Sequence, residues 1–325
     1  MIVTEPGRGT FVAAAAASAA TQPIDAGWQT VALQGRAVDT EDLMRQVALP
    51  DSGAIVLSTG YLDPSLQPTR AMADALARAA RRPGVWNRAP LAGLAELRAK
   101  LATGIGVSPA DVLIVPGGQA GLSTALRALT PIGGTVVVES PTYFGLLALA
   151  RSAGLRPVPV ATDSAGIRPD LLAETLAMTS ARLVCCQPMY ANPTGTVLAA
   201  SRRREVLDVV HDAGAFLLED NRGPAAVLSP RSPTAADPRR SPRQRRTPDV
   251  PDQAGRPGLR IGALAARGPA APRMRGLRVV DDFFVPRPLQ ETALDLLTSA
   301  AWPRHLSRLR RPRRPRHRRY AVLRG

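Results

Sequence analysis

Between residues 51 and 221, short apolar runs alternate with longer segments of helical spacing, and this alternation constrains the fold more than any other feature. The runs predicted as strands are residues 54–57, 112–115, 135–138, 158–161, 183–186 and 215–218. The segments predicted as helices are residues 69–82, 91–102, 119–129, 143–153, 169–178 and 201–213. Strands that alternate with helices of this length form a mostly parallel sheet with helices on both faces. The predicted fold class is therefore α/β.

The strong positive charge of the chain does not belong to this α/β region. The formal net charge is +16, yet residues 1–220 hold only 18 of the 42 basic residues, against 19 of the 26 acidic ones. The excess lies in residues 221–325, mostly among prolines, which break helices and are excluded from central strands. A nucleic-acid-binding face places its basic residues on a folded element. We therefore predict that residues 222–256 and 306–325 are aberrant Arg/Pro-rich segments.

The composition also indicates the cellular compartment. The chain contains no apolar run of 18 residues, so no membrane span and no membrane partner are predicted. Cys185 and Cys186 are the only cysteines. Adjacent cysteines rarely bridge each other, so the pair favours a reducing compartment, and we expect a cytoplasmic protein. No metal site is predicted.

The amino terminus permits three interpretations. It can be a signal peptide with an Ala-rich apolar stretch, although Glu5 and Pro6 stand where a basic segment is expected. It can be a disordered start. It can also be a hairpin, with strands at residues 2–4 and 10–12 and a turn at residues 6–9, where glycines supply positive φ angles. Residues 13–50 then form an Ala-rich linker.

Chemically notable residues follow the predicted strands, at the sheet edge where parallel sheets bind ligands. Gly117 and Gly118 follow a strand and open a helix, so their N–H groups can face a phosphate. Tyr143 follows the next strand and could stack on a flat ring. Asn192 and Asp220 follow two further strands. Taken singly, each has an ordinary explanation as a turn glycine, a core aromatic or a helix cap.

Arg260 completes the set, because its guanidinium can bind a phosphate with two hydrogen bonds. The order of a glycine pair, SPTY, NPTG, an acidic strand end and PGLRIG resembles the fold type I aminotransferases, which bind pyridoxal 5'-phosphate. The resemblance covers residues 51–221 and 257–305. It implies that Gly117, Gly118 and Gln119 hold the phosphate with Arg260, that Tyr143 stacks on the ring, and that Asn192 and Asp220 bond the ring hydroxyl and the pyridine nitrogen. Pro116 stands where the family often has Ser or Thr.

The amino terminus indicates which group of aminotransferase-like proteins the chain resembles. PGRGTFV ahead of the linker is similar to the wing of a GntR-type winged helix, and a wing joined to an aminotransferase-like domain is the arrangement of the MocR regulators. TGYLDPSLQPTR and WNRAPLAGLAELR are similar to that group too. The resemblance implies a wing remnant at residues 1–12, a linker at 13–50 and an aminotransferase-like domain at 51–305. It also implies a homodimer, DNA contact only through a missing amino-terminal domain, and a small carboxy-terminal domain that is largely missing.

The lysine that this family requires is absent. The resemblance places it about seven residues before the phosphate arginine, which is Gln253 here, and the only lysine of the chain is Lys100. Without that amine there is no internal Schiff base and no general base for the proton shift of transamination. No catalytic residue is therefore assigned.

Three explanations of residues 222–256 are considered: a degenerate binding protein, a genuine basic insertion, or a reading-frame error. An insertion should lengthen the interval from Asp220 to Arg260, which has the usual length for the family. Residues 250–254, Val-Pro-Asp-Gln-Ala, can be encoded by GTC CCT GAC CAA GCC. Read one base later, these codons give Ser-Leu-Thr-Lys, the expected motif. The frame error is the favoured hypothesis.

Three functions compete. The first is a pyridoxal-phosphate-binding domain of a MocR-type regulator, without transaminase turnover as written, whose ligand is an amino acid or a 2-oxo acid. The alternative is a free-standing class I/II aminotransferase acting on an amino acid and a 2-oxo acid. An Arg-rich nucleic-acid-binding protein is disfavoured because residues 1–220 are nearly neutral. Codons for a helix-turn-helix upstream of Met1 would separate the first two.

Overall fold

A computed structural model describes residues 2–12, 29, 41–48, 63–221, 225–229 and 257–310. The chain divides into two compact units, residues 1–39 and 40–325. The first unit contains an antiparallel hairpin of β1 (Ile2–Glu5) and β2 (Gly9–Val12). Gly7 and Gly9 have φ angles of 84° and 108°, which the turn requires and which only glycine adopts at no steric cost. The predicted hairpin is confirmed.

The second unit carries the remaining elements whose bounds the structure describes, and strands and helices alternate through much of it. Its helices are α1 (Glu41–Val47), α2 (Thr69–Ala80), α3 (Ala95–Ile105), α4 (Gly118–Leu129), α5 (Phe144–Ser152), α6 (Pro169–Thr179), α7 (Ala200–Asp212), α8 (Ala270–Asp282), α9 (Arg287–Thr298) and α10 (Ala301–Arg310). Its strands are β3 (Val112–Val115), β4 (Thr135–Ser140), β5 (Arg156–Asp163), β6 (Gly166–Ile167), β7 (Leu183–Cys186), β8 (Phe216–Asp220), β9 (Ala225–Ser229) and β10 (Gly262–Ala265). Short 3-10 turns lie at Pro64–Leu66, Pro109–Asp111 and Pro257–Leu259.

The eight strands form one sheet in the order β3-β10-β9-β8-β7-β4-β5-β6. Strands β8, β7, β4 and β5 run parallel to one another, and β9 runs parallel to β10. The pairs β3 with β10, β8 with β9, and β5 with β6 are antiparallel. Strands β3, β4, β5, β7 and β8 therefore end at the same edge of the sheet, which is the edge that positions the candidate site.

Alternating side chains of the strands pack into separate cores on the two faces of the sheet, as a period of two requires. Val136 and Val138 belong to a core with α4, α5 and α8, whereas Val137 between them belongs to a core with α6 and α7. Cys185 and Cys186 divide in the same way and are both buried free thiols. The predicted α/β fold, with a mostly parallel sheet between two helix layers, is confirmed.

Most predicted elements agree with the structure to within two residues, and strands 112–115 and 183–186 agree at both ends. The helix predicted over 91–102 is wrong at both ends, because α3 runs from Ala95 to Ile105. Gly93 has a φ of 90°, and a Cβ there would lie 2.2 Å from Cγ1 of Ile114, so this stretch is a tight turn pressed against β3. The strand predicted over 54–57 lies outside the described residues.

Regular secondary structure continues beyond Asn221 and beyond residue 305, where the sequence pattern had ended. β9 lies inside the sheet, between β8 and β10. Helix α10 extends to Arg310, and its Trp302 and Leu306 are buried in a core with α2, α3 and α9. The remainder of the two Arg/Pro-rich segments lies outside the described residues. Among the helices described, none combines the length and the apolar character needed to cross a membrane.

Candidate functional site

The first part of the site is the turn that joins β3 to α4. Gly117 caps the amino terminus of α4 with a φ of 87°. The first N–H groups of a helix have no partner within the helix and carry partial positive charge, so such a terminus attracts anions. Arg260 reaches the same turn, and its Nη2 donates to the carbonyl oxygen of Pro116 at 3.3 Å. Two sources of positive charge therefore converge on one turn.

The pairing of β10 with β3 explains why Arg260 arrives there. Gly262 pairs with Val115, and the same antiparallel register, continued by two residues, sets Arg260 opposite Gly117. A Cβ on Gly117 would lie 2.7 Å from Nη2 and 2.8 Å from Cζ of Arg260. A Cβ on Gly262 would lie 3.0 Å from the carbonyl carbon of Gly117. Because neither Gly117 nor Gly262 carries a side chain, the guanidinium of Arg260 and the two backbones can lie in contact.

The second part of the site joins the first turn of α4 to the start of α5. The hydroxyl of Tyr143 donates to Oε1 of Gln119 at 3.2 Å, and Nε2 of Gln119 donates to the carbonyl oxygen of Gly145 at 3.4 Å. The ring of Tyr143 lies over Gly145, where a Cβ would be 2.3 Å from Cζ of the tyrosine. Tyr143 is half-buried, so one surface of the ring packs on the core while part of it faces outward.

The third part of the site links β7, β8 and the loop that contains Asn192. Nε2 of Gln187 donates to Oδ2 of Asp220 at 2.6 Å. Oε1 of the same amide accepts from the backbone N–H of Asn192 at 2.8 Å. Asp220 is the last residue of β8 and not a residue beyond it, because the pairing of Cys186 with Glu219 extends the strand past Leu218.

A buried carboxyl group lies behind this cluster. Oε2 of Glu139, near the end of β4, accepts from the backbone N–H of Gln187 at 2.7 Å. Burial raises the pKa of the Glu139 carboxyl to about 7, against the opposing effect of the Gln187 N–H, and the negative charge of Asp220 adds to the rise. Glu219, next to Asp220 in β8, points to the opposite face of the sheet from Asp220 and pairs with Arg203. Alternation along β8 therefore separates two adjacent carboxylates into different environments.

The structure brings the predicted residues to one sheet edge in two groups. The first group is Gly117, Gly118, Gln119, Tyr143 and Arg260. The second is Asn192 with Asp220, joined through Gln187. Gln187 and Glu139 were not predicted, although both stand at or just beyond strand ends, which is the signal that identified the others. Gln253 lies outside the described residues, and Lys100 is exposed on α3, which leads into the opposite end of β3.

The first group has the donors that a phosphate needs, because a glycine turn at a helix terminus and an arginine lie together without a side chain between them. An α/β sheet with donors gathered at the carboxyl ends of its strands is typical of proteins that bind phosphorylated ligands. Comparison with known families shows which class of protein this is. Residues 53–221, just over half of the chain, match the model of the family Aminotransferase class I and II, and the chain belongs to that family.

Similar proteins fall into two kinds. The chain is 32% identical over 171 residues to a 2-aminoadipate transaminase of Thermus thermophilus, covering 52% of this chain and 43% of the relative. It is 27% identical over 282 residues to the uncharacterized HTH-type transcriptional regulator YdcR of Escherichia coli, covering 80% of this chain and 57% of the relative. This chain thus spans about half the length of these two relatives.

Solved structures agree with the family assignment. The α-aminoadipate aminotransferase LysN from Thermus thermophilus, complexed with N-(5'-phosphopyridoxyl)-L-leucine, superposes with a TM-score of 0.73 at 25% identity. The match covers 87% of this chain and 73% of LysN. The ligand of that structure joins a pyridoxal phosphate moiety to an amino acid. The family and this neighbour support pyridoxal 5'-phosphate as the cofactor predicted from the sequence.

Proposed function

We propose that this chain is the cofactor-binding part of an HTH-type transcriptional regulator of the MocR kind. In this proposal it binds pyridoxal 5'-phosphate together with an amino acid or a 2-oxo acid, and it does not turn over as a transaminase. The observation that carries the proposal is the guanidinium of Arg260 lying against Gly117 at the amino terminus of α4. The match to a regulator over 80% of the chain supports the regulatory part.

The described residues have distinct tasks in this proposal. The N–H groups of Gly118 and Gln119 and the guanidinium of Arg260 hold the phosphate. Tyr143 covers one face of the ring, with its hydroxyl anchored on Gln119. The carboxylate of Asp220 receives the pyridine N–H, and Asn192 donates to the ring hydroxyl. The bound cofactor supplies an aldehyde that reacts with amino groups and a ring that accepts electrons.

Turnover is excluded from the proposal because the chain offers no suitable amine. The position expected for the lysine is Gln253, and the one lysine, Lys100, is exposed on α3. A glutamine amide is neither a nucleophile toward an aldehyde nor a base at neutral pH. The cofactor is therefore held by hydrogen bonds and stacking alone, and its occupancy depends on its free concentration.

The proposal is tested by titrating the full chain with pyridoxal 5'-phosphate and, separately, with pyridoxal, and following the absorbance of the bound ring. We expect the phosphorylated form to bind at least about 10-fold more tightly, because charge-assisted hydrogen bonds to its phosphate are lost in pyridoxal. Arg260→Gln should remove most of this difference. Arg267→Gln is the control, since Arg267 pairs with Asp111 away from the turn. Equal affinity for both compounds would overturn the proposal.

The alternative is a free-standing aminotransferase acting on an amino acid and a 2-oxo acid. The 32% identity to a 2-aminoadipate transaminase favours it. Two measurements separate the candidates. Formation of a new amino acid from a 2-oxo acid by the purified chain would support the enzyme, and helix-turn-helix codons upstream of Met1 would support the regulator.

The proposed regulator is a cytoplasmic homodimer that contacts DNA through a helix-turn-helix domain preceding the β1–β2 hairpin. The hairpin would then be the wing of that domain. Sedimentation of the purified chain tests the dimer, and a single monomeric species with and without pyridoxal 5'-phosphate would contradict it.

A further inference from the structure

Gln187 occupies a central place that the roles above do not use. It is the first residue after β7 and is only 4% exposed. Its side-chain amide contacts Asp220 at the end of β8 and the backbone of Asn192 in the following loop. Its own backbone N–H donates to Glu139 at the end of β4. One residue therefore connects three strand ends at the candidate site.

The hydrogen bonds determine which way the amide points. With Nε2 toward Asp220 and Oε1 toward the N–H of Asn192, each donor meets an acceptor. The reversed amide would set its carbonyl oxygen against a carboxylate and its NH₂ against an N–H. Because the residue is buried, water cannot relieve either conflict. The orientation is thus imposed by the two partners together.

This orientation favours the ionised form of Asp220. A hydrogen bond donated to a carboxylate stabilises its charge, and such bonds are stronger than those between neutral groups. A carboxylate can accept several hydrogen bonds through its two oxygens, so a bond from Gln187 leaves capacity for a further donor. A pyridinium N–H needs an ionised acceptor held in one direction. Gln187 provides both conditions at Asp220.

We propose that Gln187 is a positioning residue that holds Asp220 charged and oriented toward the ring nitrogen of the cofactor, while the same amide fixes the backbone of Asn192. The proposal rests on the proposed binding of pyridoxal 5'-phosphate. In this proposal the orientation of the groups that bind the ring depends on Gln187, a side chain that contacts neither the ring nor the phosphate.

A second buried glutamine shows what a purely structural role looks like. Gln290 in α9 is fully buried, accepts from the N–H of Leu94 at 2.8 Å and donates to the carbonyl oxygen of Val285 at 2.7 Å. Both of its partners are backbone groups in the core that contains α2, α3 and α9. Gln290 is therefore a matched control for Gln187, since both are buried and both use the two ends of the amide.

The experiment compares two cofactors on the full chain: pyridoxal 5'-phosphate and its analogue with CH in place of the ring nitrogen. Their affinity ratio isolates the contact between Asp220 and the ring, because phosphate binding is common to both. We expect the wild-type chain to bind the natural cofactor at least about 10-fold more tightly. Gln187→Leu should reduce this ratio several-fold, whereas Gln290→Leu should lower thermal stability and leave the ratio unchanged.

Gln187→Glu serves as a second variant in case the leucine variant does not fold. It keeps the shape of the side chain and, when ionised, replaces a donor by a charge that repels Asp220, so the ratio should fall further. A wild-type chain that binds neither compound would overturn the proposed function itself. A wild-type chain that binds both equally, or Gln187 variants that fold and keep the wild-type ratio, would overturn the positioning role while leaving cofactor binding intact.

Discussion

The guanidinium of Arg260 lies against the α-carbon of Gly117, so close that a β-carbon on this glycine would be 2.7 Å from Nη2. The two residues are 143 positions apart in the chain, and the antiparallel pairing of β10 with β3 sets them opposite each other. A helix terminus and an arginine side chain thereby lie together at the proposed phosphate site. The absence of a side chain at residue 117 is a condition of that site.

Gly117→Ala should therefore weaken the binding of pyridoxal 5'-phosphate by at least about 10-fold, because the new methyl group displaces the guanidinium that donates to the phosphate. The variant should also lose about 1–3 kcal/mol of stability, because a φ of 87° with a ψ of 168° is a conformation that is nearly confined to glycine. Gly133→Ala is the control, with a φ of 79° and no atom within 4 Å of the added carbon. It should lose stability in denaturant titrations and keep its affinity; an equal loss of affinity in both variants would contradict the steric argument.

Gly145→Ala tests the placement of Tyr143. A β-carbon there would lie 2.4 Å from the tyrosine hydroxyl, so the ring must swing away and lose its hydrogen bond to Gln119. Any gain from alanine in the first turn of the helix should be cancelled, and cofactor affinity should fall several-fold.

Gly276→Ala is the matched comparison for that variant, since residue 276 also lies within a helix and meets nothing within 4 Å. It should stabilise the chain by about 1 kcal/mol without changing cofactor affinity. If Gly145→Ala stabilised the chain to the same degree and bound the cofactor normally, the ring of Tyr143 would not be held where the structure has it.

Glu139 makes stability depend on pH. Burial, opposed by the N–H of Gln187, raises its pKa from 4.5 to about 7. Between these values the folded chain binds the proton more tightly than the unfolded chain, so the free energy of unfolding falls as pH rises through this range. At about 1.4 kcal/mol per unit of pKa, the change from pH 4.5 to 7 is about 3 kcal/mol.

Glu139→Gln removes this titration and keeps an oxygen that can accept from Gln187. Denaturant titrations of the wild-type chain and the variant between pH 5 and 8 measure the difference in their free energies of unfolding. The contributions of the other titrating groups are common to both chains and cancel in this difference. The wild-type chain should lose stability relative to the variant as pH rises. A difference that stays constant over this range would show that Glu139 titrates elsewhere.

The gene offers a test of the missing lysine. If residues 222–256 arise from a reading-frame error, the nucleotide sequence across codons 250–254, taken one base later, should encode Ser-Leu-Thr-Lys. Sequencing this stretch decides the matter. Absence of an AAA or AAG codon in both alternative frames of this block would rule out the frame error and leave a genuine glutamine at position 253.

Local sequence signals predicted most elements because those signals act over a few residues. The apolar runs of β3 and β7 are bounded by polar residues or proline, and both strands agree at their ends. Helix α3 shows the limit of such signals. The helix was predicted to end at residue 102, with Gly104 and Gly106 following, and Gly106 is the residue that turns left-handed and donates to the carbonyl oxygen of Ala102 at 2.8 Å. More than one glycine in this stretch could end the helix, and the final hydrogen bond of the helix decides which one does.

The candidate site was predicted in part. The sequence order identified Gly117, Asp220 and Arg260 because each lies in a recognisable segment beside a strand. Gln187 and Glu139 were not identified, although each stands at or beside a strand end. A glutamine or glutamate there is ordinary in sequence. Its importance depends on which partners the neighbouring strands bring within 3 Å.

By itself, the sequence determined that the chain alternates strands with helices, that a glycine turn opens a helix after β3, and that the chain has a single lysine, Lys100. These are properties of short stretches or of composition. Only the tertiary structure decided that Arg260 meets Gly117 and that one glutamine amide joins Asp220 to Asn192. Strand order and register determine such contacts, and they depend on how the whole sheet packs its two faces between helices, which no local segment encodes.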